Sequence, residues 1–275
     1  ELRAYANGWY DSLETPEEWA AGAEKVIDRG YTALKFDPIE TANRSMSNEA
    51  LNLGVDRIAA IREAIGDNPD IIIEGHGRLT PGEAIRFGKR IEQYNPMWYE
   101  APVQPHQGPE AFREVRQALD IPIADDLASI ESKYTAFDFI SKRAIDIIQP
   151  DTGNVGGIRE TQYIAQMADA ASIITAPHAA AGPVSLTACV HVDAVIPNFK
   201  IQEGFEEFTR PDWVPDVITD PLEIEDGTIQ VPDEPGLGVT FDADEALKHA
   251  GNPMPDHNFM APDFKDTYGS QDFAK

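Results

Sequence analysis

The sequence predicts a closed (β/α)8 barrel, and two regularities of the chain indicate this fold. Glu74, Glu100 and Asp126 each follow a short apolar run, and neighbouring members of this set are 26 residues apart. A period of this length fits one strand, one returning helix and two short loops, the repeating unit of a parallel βα fold. Short apolar segments also alternate with amphipathic segments through most of the chain. An open doubly wound sheet is the alternative, but nothing in the chain resembles the glycine-rich turn of a dinucleotide site.

The predicted elements follow one another in strand–helix order. Apolar runs predict eight strands, at residues 2–6, 33–36, 71–74, 97–100, 121–124, 146–149, 173–176 and 200–203. Amphipathic periodicity predicts seven helices, at residues 16–28, 53–65, 81–93, 109–118, 130–141, 157–168 and 184–194. Thr15-Pro16 and Thr80-Pro81 each place a capping hydroxyl before a proline at the first helical position, which indicates two of the helix starts.

The pattern changes after about residue 209, so we expect two parts: a barrel carrying the active site at 1–208, and a C-terminal segment at 209–275 that packs on the barrel or on a capping region. In this segment, Asp226-Gly227 between two short runs predicts a β-hairpin over residues 224–231. Residues from about 251 onward are rich in Pro, Asp, Asn and Gly, which predicts a tail or an arm rather than a domain.

The composition restricts the partners and the compartment. The chain has 22 Lys plus Arg against 48 Asp plus Glu, so its formal net charge of −26 argues against a nucleic acid or a membrane as partner. Adaptation to a high-salt cytoplasm is one hypothesis for this charge, because salt screens the repulsion; an ordinary acidic protein is the alternative. The single Cys189 excludes an internal disulfide and fits a reducing cytoplasm, and its helical setting indicates a structural role. No apolar run reaches transmembrane length.

Acidic residues end three of the predicted strands, and parallel βα units bring these ends to one rim of a barrel. The carboxylates of Glu74, Glu100 and Asp126 at that rim predict a site of hard oxygen ligands, which suits Mg²⁺. Acidic loop residues in a very acidic protein are the alternative.

Two histidines and two further acids are predicted at the same rim. His76 lies two residues past Glu74, and Glu203 ends the eighth strand. Asp151 ends the sixth strand and His178 the seventh, so we expect this carboxylate beside this imidazole. A carboxylate there orients the ring and raises its basicity.

These residues lie in strings that resemble the enolase superfamily, in its mandelate-racemase-like subgroup, and in particular sugar-acid dehydratases acting on gluconate or galactonate. The resemblance extends from YANG (5–8) to PGLG (235–238). The matching strings are ALKFDP (33–38), IEGHGR (73–78), WYEAPV (98–103), IQPD (148–151) with GGI (156–158), APH (176–178), PNF (197–199) and QE (202–203). Several such strings together are specific, whereas each alone is weak.

The resemblance implies metal ligands at the ends of the third, fourth and fifth strands. Glu74 and Glu100 match the family pattern as ligands of Mg²⁺, with Mn²⁺ as an alternative. The fifth-strand position departs from it, because the usual Glu falls on Leu127, whose side chain cannot bind a metal ion. We expect Asp126 to be the third ligand, with Asp125 in reserve.

The resemblance also implies a reaction. His178, tuned by Asp151, would remove the C2 proton of a sugar acid, and His76 would protonate the departing C3 hydroxyl, giving a 2-keto-3-deoxy acid. Glu203 would hydrogen-bond the enediolate oxygen. To donate that bond Glu203 must be protonated, so we expect a raised pKa.

The second strand favours dehydration over racemisation. Racemases of the superfamily usually carry Lys-x-Lys there, whereas this chain has Lys35-Phe36-Asp37 and so loses the second base. Lys35 is expected to neutralise the substrate carboxylate, and Asp37 to contact a substrate hydroxyl or Lys35 itself. Arg44 and Arg78 are further candidates for substrate binding.

Two alternatives to a dehydratase stay open. One is a catalytically silent barrel that binds or oligomerises, motivated by Leu127; the other is an epimerase or racemase of the same superfamily. The resemblance further implies a homo-oligomer and an N-terminal capping domain, which we expect to be absent from this chain because it starts at Glu1 in a strand-like segment.

Overall fold

Eight parallel strands close into a barrel in the computed structural model, which describes residues 1–125, 132–180, 182–209 and 211–249. The strands are β1 Leu2–Ala6, β2 Ala33–Phe36, β3 Asp70–Glu74, β4 Trp98–Glu100, β5 Ile123–Asp125, β6 Ile147–Ile148, β7 Ile174–Thr175 and β8 Gln202–Gly204. Each strand from β1 to β6 pairs with the next, and β8 pairs with β1. A parallel bridge between Thr175 and Phe199 joins the last two units and closes the ring. The predicted barrel is therefore confirmed.

Seven helices lie between the strands. They are α1 Pro16–Asp28, α2 Asn48–Ile65, α3 Pro81–Ile91, α4 Gly108–Ala118, α5 Lys133–Ser141, α6 Ile158–Ala170 and α7 Pro183–Asp193. Helix α2 begins five residues earlier than its periodicity predicts, because the Ser47 side chain accepts a hydrogen bond from the backbone N–H of Ala50 and caps the helix there. Helix α3 ends at Ile91, and the predicted last turn is a 3₁₀ turn at Glu92–Tyr94.

The two threonines that precede proline behave differently. Thr15 and Glu18 form a complete capping box at the start of α1, as the sequence indicates. Helix α3 begins at Pro81 after Thr80, which confirms the predicted start, but the Thr80 side chain makes no capping hydrogen bond, so the capping role expected of its hydroxyl is wrong. The first-turn acid Glu83 turns instead to the neighbouring loop, where it accepts from the backbone N–H of Met46 and pairs with Arg86.

The inside of the barrel is built in layers. One apolar layer takes one buried residue from each strand unit, namely Tyr5, Ala33, Ile72, Trp98, Ala124, Ile147, Ala176 and Ile201. Because side chains alternate along a strand, the residue two positions further on faces the same interior. In six of the units that residue is polar and buried: Asn7, Lys35, Glu74, Glu100, Gln149 and Glu203. The barrel therefore carries a polar layer directly above its apolar core, at the C-terminal ends of the strands.

The C-terminal part adds a hairpin to the barrel wall. Strands β10 Ile224–Glu225 and β11 Thr228–Ile229 pair antiparallel around Asp226 and Gly227, both with positive φ, which confirms the predicted hairpin. Strand β11 pairs with β1 of the barrel. The remaining elements are α8 Glu206–Thr209, α9 Val214–Val217, β9 Ile218–Thr219, β12 Thr240–Phe241 and α10 Ala243–His249.

The predicted tail from residue 251 lies outside the described residues, and the division of the chain at residue 209 stays a prediction. No helix in the described ranges is long and apolar enough to cross a membrane. Cys189 is buried, and this burial raises the pKa of its thiol to about 12, which agrees with the structural role expected of it.

Candidate active site

A buried ammonium group lies at the centre of the polar layer. The Nζ atom of Lys35 is 2.5 Å from Glu100 Oε1, 3.0 Å from Glu203 Oε1 and 3.2 Å from Glu74 Oε2. Burial by itself would lower the pKa of Lys35, but the surrounding carboxylates outweigh burial and raise it well above its usual value. Lys35 is therefore a fixed cation shared by three acids from three other strands.

Glu100 is fixed in one orientation by two neutral donors. Its Oε2 accepts hydrogen bonds of 2.8 Å from Trp98 Nε1 and of 2.8 Å from Gln149 Nε2, and Oε1 faces Lys35. Burial would raise the pKa of Glu100, yet Lys35 more than offsets this and the pKa is lowered. Neither Trp98 nor Gln149 is among the site residues that the sequence predicts. The alternation that places both in the barrel interior is the signal by which they could have been found.

Glu74 and Glu100 form a pair that suits a divalent cation. They are direct neighbours in the β3–β4 register, both are buried, and they already share one cation, the Lys35 ammonium. Hard carboxylate oxygens in this arrangement fit Mg²⁺. Among the residues that the structure describes, no three His, Cys, Asp or Glu side chains are grouped to hold a metal ion. Asp126 lies outside the described residues.

Asp125, the reserve ligand, is on the wrong face of its strand. Glu100 pairs with Ala124, whose side chain belongs to the interior layer. Asp125 pairs with Ile148, which packs in the outer layer between sheet and helices. Since residues paired in a parallel register share a face, Asp125 does not lie on the face of Glu74 and Glu100. Asp126 thus stays the prediction for the third ligand.

Glu203 is ionised, so the expectation of a raised pKa is wrong. Burial would raise its pKa, but Lys35 and His178 lower it further than burial raises it, to about 2. Its two oxygens also accept hydrogen bonds of 2.8 Å each, from Asn7 Nδ2 and from the backbone N–H of Ala179. Glu203 therefore accepts hydrogen bonds and does not donate one.

Asp151 and His178 lie together at the ends of neighbouring strands, as expected. The Asp151 Oδ2 is 2.8 Å from His178 Nδ1, and the other oxygen accepts from the backbone N–H groups of Gly153 and Asn154. The Nε2 of His178 is 3.8 Å from Glu203 Oε2. A carboxylate held on one side fixes the ring of His178 and leaves Nε2 as the atom for proton transfer.

A second histidine–carboxylate pair faces the first from the opposite wall. The Nδ1 of His76 is 2.6 Å from Asp37 Oδ2, and Arg78 Nη1 donates to the same oxygen at 2.5 Å. Asp37 is thus engaged with these two residues and not with Lys35, so that expected contact is wrong. Burial would raise the pKa of Asp37, but Arg78 and His76 lower it to about 2. Arg78 is paired with Asp37 inside the site, and its substrate role stays a prediction.

The turn after β3 aims His76 at the rim. Gly75 donates its backbone N–H to Glu100 O and Gly77 donates to Ala101 O, which ties the turn to the end of β4. His76 between them has φ of 47°, a left-handed conformation that is uncommon outside glycine and that occurs at functional sites. A Cβ atom on Gly75 would lie 2.8 Å from Ala101 O, so only glycine allows this close approach.

Arg44 lies beside this turn. Its backbone N–H donates to Arg78 O, its carbonyl accepts from Thr80 N–H, and its side chain is exposed. The loop after β2 therefore lies against the loop after β3, and substrate binding by Arg44 stays a prediction.

Comparison with known proteins finds one family and a consistent set of relatives. The family described as Enolase C-terminal domain-like matches residues 18–246. D-gluconate dehydratase of Thermoproteus tenax is 35% identical over 252 residues, which cover 92% of this chain and 50% of the relative. D-gluconate/D-galactonate dehydratase of Picrophilus torridus is 36% identical over 247 residues, covering 90% of this chain and 62% of the relative. D-xylonate dehydratase of Haloferax volcanii is 32% identical over 257 residues, which cover 90% of this chain and 61% of the relative.

Solved structures give the same result. A member of the enolase superfamily from Salmonella Typhimurium superposes with a TM-score of 0.84 at 29% identity, over 90% of this chain and 67% of that one. A mandelate racemase/muconate lactonizing enzyme from Jannaschia sp. CCS1 superposes with a TM-score of 0.82 at 32% identity, over 92% of this chain and 67% of that one. The chain spans 50–62% of the length of the three curated relatives named above.

Proposed function

The chain belongs to the Enolase C-terminal domain-like family, and from that premise we propose that it carries the active site of a sugar-acid dehydratase, a hydro-lyase. The substrate is an aldonate such as gluconate, galactonate or xylonate, and the product is a 2-keto-3-deoxy acid. The names of the relatives support this substrate class. The observation that carries the proposal is the pair of histidines, each held by a buried carboxylate, on opposite walls of one barrel around a buried cluster of acids.

His178 acts as the base. Its Nδ1–H donates to Asp151, so the neutral ring presents the Nε2 lone pair to the C2 proton of the substrate. Asp151 keeps the ring in this tautomer and stabilises the imidazolium that forms. Glu203, ionised and close to Nε2, adds a second negative charge beside that imidazolium. This role replaces the hydrogen-bond donation expected of Glu203.

His76 acts as the acid. Strands β3 and β7 are four strands apart in a ring of eight, so His76 and His178 approach a bound substrate from opposite sides. The base takes the proton from C2, the C3–O bond breaks, and His76 gives its proton to the departing hydroxyl, which leaves as water. The resulting enol then tautomerises to the 2-keto-3-deoxy acid. One base and one acid suffice for this reaction.

Glu74, Glu100 and Asp126 would hold a Mg²⁺ ion, with Mn²⁺ as an alternative. When bound, the ion offsets the negative charge that builds up on the substrate carboxylate after proton removal. Lys35, held among three carboxylates at the floor of the site, supplies a further fixed positive charge there. Arg44 and Arg78 are proposed to bind the substrate. Asp37 is proposed to act on the substrate through His76 and Arg78, the two residues that it binds.

The test is an assay of the full-length protein with Mg²⁺ at high salt. Gluconate, galactonate, xylonate and arabinonate are each offered, and 2-keto-3-deoxy acid is measured. We expect product from at least one acid, and we expect it to disappear with EDTA and in His178→Asn. The matched control is His249→Asn, which replaces a histidine on the C-terminal helix α10; this variant should keep the activity of the wild type.

Two results would overturn the proposal. Solvent deuterium at C2 of recovered substrate, without loss of water, would indicate an epimerase or racemase. No product and no exchange from a folded protein would indicate a catalytically silent barrel.

A further inference from the structure

We propose that Asp37 is the positioning residue of His76: anchored by Arg78, it fixes the ring so that Nε2 delivers the proton to the leaving hydroxyl. This inference rests on the proposed dehydration. It gives Asp37, after the second strand, the same role towards His76 that Asp151, after the sixth strand, has towards His178.

The Asp37 carboxylate is held from three directions. Its Oδ1 accepts from the backbone N–H of Ile39 at 3.1 Å, and its Oδ2 accepts from Arg78 Nη1 at 2.5 Å. His76 Nδ1 lies 2.6 Å from the same Oδ2. The side chain of Asp37 is only 2% exposed, so water does not compete for these contacts. A carboxylate bound in this way cannot rotate, and the ring that it holds is fixed with it.

The contact also decides which nitrogen of His76 carries a proton. Asp37 is ionised, so its oxygens only accept hydrogen bonds. His76 Nδ1 lies 2.6 Å from the acceptor Asp37 Oδ2 and 3.3 Å from the donor Arg78 Nη2. The shorter contact is to an oxygen that only accepts, so the proton between them belongs to Nδ1. Nε2 is then the nitrogen that gives its proton to the substrate, and Nδ1 keeps its own throughout.

The two histidines are arranged by one rule. His76 follows β3 and its acid follows β2; His178 follows β7 and its acid follows β6. In each case the carboxylate on the preceding strand binds Nδ1. The anchors differ, since Asp151 is held by two backbone N–H groups and Asp37 by the Arg78 guanidinium and one backbone N–H. Asp37 and Asp151 therefore bind the same ring nitrogen of their histidines and are themselves anchored by different groups.

The experiment measures two steps of the reaction in the full-length protein in D₂O. One is the rate of C2–H exchange in recovered substrate, which reports His178; the other is the rate of water loss, which also needs His76. For Asp37→Asn we expect the kcat of dehydration to fall roughly 10- to 100-fold, with KM changed less than about threefold and C2 exchange retained. Asp151→Asn should lower both rates together. Equal losses of both rates in Asp37→Asn would overturn the proposal.

A second readout does not depend on turnover. Nitrogen-15 NMR of labelled histidine, assigned with His76→Asn, should show neutral His76 protonated at Nδ1 in the wild type, with this preference weakened in Asp37→Asn. A wild-type His76 protonated at Nε2, or a tautomer unchanged by Asp37→Asn, would contradict the proposal whether or not the protein dehydrates any sugar acid. A clear Nδ1–H signal in a protein without activity would overturn the proposed function alone.

Two further variants keep the test interpretable. Glu40→Gln is the matched control: Glu40 is an acid three residues further on that pairs with Arg57, and both readouts should be unchanged. If Asp37→Asn does not fold, Arg78→Lys replaces it, because lysine keeps the charge but lacks the planar fork that anchors the carboxylate. Its expected result is the same selective loss of dehydration, and a proportional loss of exchange would contradict the proposal.

Discussion

At the scale of single residues, the site depends on one lysine. Lys35 is the shared cation of Glu74, Glu100 and Glu203, and all four side chains are at most 2% exposed. Buried carboxylates without a counter-charge are costly, whereas an ion pair with several hydrogen bonds offsets much of that cost. Lys35 therefore supports the fold of the polar layer as well as its chemistry.

Lys35→Met should destabilise the metal-free protein. Removing the ammonium leaves three buried carboxylates facing one another, so we expect the free energy of unfolding to fall by about 3–5 kcal/mol. Urea denaturation followed by circular dichroism, in EDTA, measures it. Lys89→Met is the control, since Lys89 forms an exposed pair with Glu92 and should change stability by less than about 0.5 kcal/mol. An equal effect of the two substitutions would refute this role of Lys35.

The low pKa of Asp37 predicts a pH dependence. Its pKa in the folded protein is about 2, below the usual 3.8, so ionised Asp37 stabilises the fold above pH 3.8 and this contribution is lost as pH falls towards 2. The stability difference between wild type and Asp37→Asn should shrink by about 2 kcal/mol between about pH 5 and about pH 2. Denaturation of both proteins across this range is the measurement. A difference independent of pH would show that the Asp37 charge is not stabilised in the fold.

At the scale of elements, the turn between β3 and α3 joins two halves of the site. It carries His76, and its two glycines bind the backbone at the end of β4, where Glu100 lies. Ala101 in that neighbouring loop also has a positive φ, of 40°. Two left-handed residues side by side are strained, and the hydrogen bonds between the loops hold them in place.

Gly75→Ala should disrupt this turn. The added Cβ would lie 2.8 Å from the carbonyl oxygen of Ala101, a backbone atom that cannot move without displacing the loop after β4. We expect a loss of about 1–3 kcal/mol of stability and more than about tenfold lower dehydration activity. Gly82→Ala in the first turn of α3 is the matched control, because its Cβ meets nothing within 4 Å. The control should be neutral or slightly stabilising by thermal unfolding; a neutral Gly75→Ala would refute the argument.

At the scale of the whole molecule, charge is the dominant feature. A formal net charge of −26 on 275 residues means that most pairs of surface charges repel. Ion pairs at the described surface, such as Arg3 with Asp70 and Arg116 with Asp146, are attractive contacts that act over short distances within this overall repulsion.

This charge predicts that salt stabilises the protein. Raising KCl from about 0.1 M to about 1 M shortens the Debye length from about 10 Å to about 3 Å, so the repulsion weakens and the urea midpoint should rise. Glycerol matched for water activity is the control and should give a smaller change. An unchanged midpoint would favour an ordinary acidic protein over adaptation to a high-salt cytoplasm.

The sequence by itself determined the features that depend on local pattern. Apolar periodicity located eight strands to within a few residues. It thereby predicted which residues lie at the C-terminal ends of strands or just beyond them, including Glu74, Glu100, Asp151 and His178. The capping box at Thr15 and the Asp-Gly hairpin were predictable for the same reason, because each depends on residues within a few positions of one another.

Only the tertiary structure decided the states of the groups at the rim. The ionisation of Glu203, the contact of Asp37 with His76 and the place of Lys35 among three acids depend on distances between residues far apart in the chain. The separations run from 24 positions for Ala179 and Glu203 to 196 for Asn7 and Glu203. The start of helix α3 shows the same limit of sequence patterns on a smaller scale. Thr80 and Glu83 have the spacing of a capping box, but Glu83 accepts a hydrogen bond from Met46 in another loop instead. Charge–charge energies vary with separation and burial, which local sequence patterns do not contain; they arise when the strands close into a ring.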